Sequence, residues 1–266
     1  MKKVGIILLS LCLVAESASA LEACEKQWEQ LYSKYSNAPV EAHFNELYEM
    51  WKEKADSCGG SDYFELQKGW LETQIVEFDL AESTFENGRK KAQSYLPEIE
   101  LGLANLPFQR ATRTSANVDE RLLLEGEKKL LAFIDKYPKR ADGYGMLAGV
   151  FLVKGEFNLV VEYSEKAIQY AAEPFAMRNG AIAYYQLEND KKTIEFGTKA
   201  IEMAPVLKSD TDLMLSLAHA YANLNNFELS LKVLTMLVDS NKEAKATDKF
   251  QSSLAEIRKQ YVESDN

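Results

Sequence analysis

Between residues 141 and 240 apolar side chains fall three and four apart, the spacing of helices that bury one face. A longer period lies over this one. Ala148 and Phe151 are matched 33 residues later by Ala181 and Tyr184, and 37 residues after that by Ala218 and Tyr221. Ala167-Ile168 recur in the same way as Ala200-Ile201 and Leu237-Val238. Each unit reads as helix, short turn, helix, with clear units at 141–174, 174–205 and 211–240 inside a repeat region of 118–243. The extra residues of the second interval fall in a loop around Leu207–Thr211, where an insertion costs little. Alanine lets two helices approach closely, and an aromatic one turn later fills the space beside it. One such hairpin cannot cover its own apolar face, so neighbours must stack on it.

Upstream the period weakens. Leu66, Trp70 and Leu71 lie on a predicted helix Tyr63–Ile75, and Phe78, Ala81 and Phe85 on a second. Together they form a diverged unit over about 62–95 within an N-terminal helical region of 21–106. Val118–Tyr137 predicts a strong helix ended by Pro138. Residues 107–117, from Pro107 to Asn117, carry Arg110 and Arg113 but no apolar period, and read as an irregular loop interrupting the array. Its basic side chains form either a contact loop or a solvated connector. Past the repeats, Phe250, Leu254, Ile257 and Tyr261 share one face of a predicted helix, the cap of 244–266 that the open end of a stack requires.

The first twenty residues have a different pattern. Lys2-Lys3, an apolar run from Val4 to Val14, and Ala18-Ser19-Ala20 follow the order of a secretory signal peptide cleaved after Ala20. A run of eleven residues is too short to span a bilayer. The short two-lysine start points to the periplasm, with secretion as the alternative. Export leaves Cys24 and Cys58 in an oxidising compartment, where two cysteines read as a disulfide. Helix-spaced apolar residues at Glu25–Tyr35 and Val40–Ala55, broken at Asn37-Ala38-Pro39, place the two cysteines at adjoining ends of one hairpin.

Composition narrows the chemistry. The 266 residues are 46% apolar and 27% charged, enough for a folded core. Asp and Glu outnumber Lys and Arg by 41 to 31, a net charge of −10 that argues against nucleic acid as partner. His43 lacks a second histidine at metal-ligand spacing, and His219 sits between two alanines. The sequence has no glycine-rich phosphate loop and no Gly-x-Ser-x-Gly elbow. The reading is therefore non-catalytic and without cofactor or metal.

Leu147-Ala148, Phe151, Gly155-Glu156-Phe157, Ala167 and Pro205, echoed by Leu217-Ala218, Tyr221 and Phe227, resemble the tetratricopeptide repeat. The resemblance covers about 141–240. Ser164 and Gly197 depart from it where a large side chain usually packs, and Glu188 and Asn225 replace the turn glycine. It implies an all-α, right-handed superhelical solenoid of antiparallel helix pairs whose first helices line a concave groove. The groove residues it points to are Met146, Phe175, Arg178, Asn179, Tyr185, Gln186, His219 and Asn223. Gly145 and Gly149 imply close approach by a neighbouring helix or a ligand. Some relatives grip a peptide carboxylate with several Lys, Arg and Asn. Only Arg178 and Asn179 resemble that set, so no such clamp is expected. Arg178 is open to an acidic partner, or to Asp142 or Asp212 across the groove. The implied role is a scaffold of the bacterial cell envelope that binds protein or peptide partners, not membrane-spanning after cleavage. The alternative is a periplasmic small-ligand-binding or transporter-associated protein.

Overall fold

The computed structural model describes residues 26, 46–53, 62–92, 94–114 and 117–264. The signal segment, Cys24, Cys58 and His43 lie outside the described residues. Every regular element among those described is helical. The chain divides into two compact units, residues 1–129 and 130–266.

In the first unit α1 (Asp62–Gln74) and α2 (Phe78–Lys91) pack on each other and on α3 (Leu96–Arg113). Phe85 is fully buried between two glycines. A Cβ at Gly69 would stand 2.5 Å from its ring, and one at Gly102 2.6 Å. Three helices thus meet on one phenylalanine because two of them carry no side chain there. Polar ties close the unit. Asp62 accepts from the backbone N–H of Ser94 and Tyr95 at 2.6 and 2.9 Å, fixing the α2–α3 turn to the start of α1. Glu72, fully buried, accepts from the Tyr48 hydroxyl at 3.2 Å and lies 3.4 Å from the Lys68 ammonium. Residues 46–53 are helical and bring Trp51 onto Phe64 at 4.5 Å.

The irregular loop expected over 107–117 is a correction. Helix α3 continues through Pro107 to Arg113. Proline removes one backbone donor and crowds the carbonyl four residues back, but the turns after it are held from outside. Arg110 pairs with Asp79 at 2.7 Å and Glu82 at 3.2 Å and covers the Phe78 ring. Arg113 donates to the carbonyls of Thr73 and Gln74 at 3.0 and 2.9 Å, capping α1. These ties stand in for the apolar period that the segment lacks, so its basic side chains form neither a contact loop nor a solvated connector. The following helix, α4 (Glu120–Lys136), contains the division between the units.

The second unit holds three helix pairs: α5 (Ala141–Lys154) with α6 (Phe157–Tyr170), α7 (Pro174–Gln186) with α8 (Asp190–Met203), and α9 (Thr211–Asn223) with α10 (Phe227–Ser240). Ala148, Ala181 and Ala218 have no exposed surface, nor do Ala167, Ala200 and Leu237. Gly155 ends α5 at φ +73°, and Glu156 N–H reaches back to the Phe151 carbonyl at 3.0 Å. Glu188 and Asn225 take the same left-handed conformation, at φ +57° and +59°, with equivalent bonds from Asn189 to Tyr184 and from Asn226 to Tyr221. The turn geometry therefore persists where its glycine does not. The departures at 164 and 197 are explained by partners on adjoining helices. Ser164 and Phe196 both close on Gly180, where an added Cβ would stand 3.2 and 2.9 Å from them, and Gly197 leaves room for Leu217, whose Cδ2 would stand 2.7 Å from an added Cβ. The connection expected around Leu207–Thr211 has structure of its own. Pro205–Ser209 forms a 3₁₀ turn that buries Leu207 in the core. The terminal helix α11 (Asp248–Ser264) packs on α9, with Phe250 and Ile257 buried in the same core.

Candidate functional site

Small residues at helix crossings bring the first helices of successive pairs side by side: α5 contacts α7, α7 contacts α9, and α9 contacts α11. Gly145 shows the cause. A Cβ there would lie 2.9 Å from the Glu173 carboxylate, so the next first helix takes up the space the glycine leaves. Glu173 caps that helix, accepting from the N–H groups of Phe175 and Ala176. Burial pushes its carboxyl above the ordinary range, and those two backbone donors oppose the shift.

The residues singled out in the sequence fall into three kinds on this face. Phe175, 54% exposed, and Met146, half-buried, offer apolar surface at the start of the face, and Gln186 is exposed. Arg178 and Asn179 are engaged within the protein. The guanidinium donates to both Asp210 oxygens at 2.9 and 3.2 Å and to Asn179 Oδ1 at 2.9 Å, while Asn179 Nδ2 reaches the Gly145 carbonyl at 3.4 Å. Of the two acidic partners considered for Arg178, Asp212 lies at 3.9 Å and also pairs with Lys249, and Asp142 pairs with Arg140. Tyr185, His219 and Asn223 form the third kind. Tyr185 stacks on His219 with centroids 5.6 Å apart. Asn223 donates to Asp190 at 3.0 Å and accepts from Gln260 at 3.4 Å.

Helix α11 contributes residues that sequence reasoning assigned only to a cap. Lys249, Glu256 and Gln260 recur seven and four apart, which puts them on one side of a helix. Lys249 reaches Asp212, and Gln260 reaches Asn223. Glu256 stands near enough to His219 and Tyr185 for its charge to act on both. That seven–four spacing was present in the sequence beside the apolar face that drew attention. Burial holds the imidazole of His219 below its ordinary value, against the pull of Glu256, so it is neutral at pH 7. Burial raises the Tyr185 hydroxyl, and the charges of Glu256 and Asp190 add to this. Among the described residues there is no cluster of three metal-ligating side chains.

A cavity of 260 Å³ opens on the second-helix side, lined by Glu165, Ile168, Met177, Lys192, Phe196 and Lys199 among others. None of the sequence-derived site residues reaches it.

Neither a protein-family model nor a curated protein matches this sequence. Solved structures share its architecture. Yeast Tom70 superposes with a TM-score of 0.58 at 12% identity, over 82% of this chain and 44% of that one. A chain of the APC/C hetero-tetramer Cut9–Hcn1 gives 0.60 at 13%, over 80% and 39%. A thermophilic TPR protein of Thermus thermophilus gives 0.53 at 14%, over 73% of this chain and all of its own. The fold is that of tetratricopeptide arrays. At these identities the likeness is one of fold, and the chain spans less than half the length of the Tom70 and Cut9–Hcn1 chains.

Proposed function

We propose that the protein is a non-catalytic scaffold of the bacterial cell envelope that binds a protein or peptide segment along the first helices of its second unit. The observation that carries this is the continuity of the face. Four helices, α5, α7, α9 and α11, contact in series, and on this face Tyr185 stacks on His219 and Gln260 reaches Asn223. Phe175, at the start of a repeat helix, leaves more than half its surface exposed, and it suits an apolar anchor from a partner. Export to the periplasm is part of the proposal and rests on the leader of residues 1–20 and the cysteine pair.

Two exposed apolar residues allow a controlled test. Phe175 on a first helix and Leu231 on a second helix are 54% and 49% exposed. A photo-crosslinking amino acid at position 175, in cells, is expected to give a discrete protein adduct, and the same residue at 231 to give none. Adducts at 231 alone, or equally at both positions, would remove the assignment to the first helices.

A further inference from the structure

Most polar side chains on the first-helix face satisfy one another. Arg140 pairs with Asp142, Arg178 with Asp210 and Asn179, Lys249 with Asp212, and Asn223 with Asp190. One spot differs. His219 is only 6% exposed, and its ring lies against Tyr185 rather than against a charged partner. Gln260 donates to Asn223 through Nε2, but its Oε1 is buried without a donor. Glu256, one turn before Gln260 on the same face of α11, is exposed and makes no ion pair among the described residues. Asp190 brings a second carboxylate, of which Asn223 occupies one oxygen.

These groups are contiguous. Asn223 bridges Asp190 and Gln260, His219 lies one turn from Asn223, and Glu256 lies one turn from Gln260. Most of their unmet capacity is for accepting. A carboxylate can only accept, and an amide oxygen can only accept. Two acidic groups, Glu256 and Asp190, lie near Tyr185 here, and among the described residues neither pairs with a basic side chain, whereas on α5 and α9 Asp142 pairs with Arg140 and Asp212 with Lys249. A neutral or anionic occupant would leave the acceptors unmet or add to the repulsion. A group with several donors and a positive charge would satisfy them, with the half-exposed Tyr185 ring beside it.

We propose that this spot receives the cationic head of an arginine or lysine side chain carried by the bound segment, recognised by Glu256, Asp190 and Gln260 and flanked by Tyr185. The inference rests on the groove reading above and adds the chemistry of the partner to it.

A displayed random twelve-residue peptide library selected on the purified protein supplies the probe. Enriched peptides are expected to share one Arg or Lys. Replacing it by citrulline or norleucine should weaken binding to the wild-type protein by tenfold or more in fluorescence anisotropy. Glu256→Gln should weaken the parent peptide similarly and leave little further loss on the uncharged one. Asp190→Asn, which keeps the bond to Asn223, should act in the same direction. Both positions are at the surface, so circular dichroism should show unchanged helicity. Peptides that lose affinity on Phe175→Ser but ignore citrulline, Glu256→Gln and Asp190→Asn would overturn this inference and leave the groove standing. Dependence on the cation without dependence on either carboxylate would also overturn it. Failure to enrich any peptide, or binding indifferent to Phe175→Ser, would overturn the groove reading and this inference with it.

Discussion

The two units solve the same packing problem with different residues. In the second, each crossing reuses alanine and an aromatic, so Ala148, Ala181 and Ala218 are all fully buried. In the first, one phenylalanine sits between Gly69 and Gly102, and charged groups bind the helix ends through Asp62 and Arg113. The lesson concerns what a period reports. It records repetition of one contact, and a region packed through unique contacts is equally helical while showing no interval.

The largest expected effect comes from removing the unique contact. Phe85→Ala empties the space that two glycines cannot fill, and should cost about 3–5 kcal/mol. Hydrogen exchange should show the loss concentrated in 62–113, with protection across 141–240 largely kept. An equal loss in both regions would show that the first unit has no core of its own and would end the contrast.

The fold class was legible for a physical reason. A stack of similar pairs needs small residues wherever helices cross, and Ala148, Ala181 and Ala218 reveal this at a fixed interval. What stayed hidden was held by polar contacts at long sequence separation. Pro107 reads as a breaker because nothing local shows that Arg110 will reach Asp79 and Arg113 the end of α1. The site was legible in part. Helical spacing and family resemblance placed Tyr185, His219 and Asn223 on one face. They did not show that Arg178 would be held by Asp210, nor that α11 would add Glu256 and Gln260, because those depend on which helix packs beside which.

A smaller effect tests the polar half of the contrast. Arg113→Met keeps most of the apolar stem of the side chain but withdraws two charged donors from the carbonyls of Thr73 and Gln74. Hydrogen bonds to charged groups make this worth about 1–3 kcal/mol in urea unfolding. Loss below the error of that measurement would return residues after Pro107 to the status of a connector.

The smallest effect has the opposite sign and lies within the second unit. Gly155, Glu188 and Asn225 end successive first helices at φ +73°, +57° and +59°, so one backbone conformation is occupied by three residue types. Glycine enters that conformation freely, asparagine with modest cost, and glutamate at greater cost because of its Cβ and longer side chain. Glu188 is exposed and accepts no bond that holds the turn; the closing contact is the Asn189 N–H to the Tyr184 carbonyl at 2.8 Å. Glu188→Gly should therefore stabilise the protein by about 0.5–1 kcal/mol, the strain relieved exceeding the entropy that glycine adds to the unfolded chain. Asn225→Gly should gain less, and Gly155→Ala should lose stability. If thermal unfolding ranks the three otherwise, the turns are not equivalent, and the likeness of the pairs ends at their alanines.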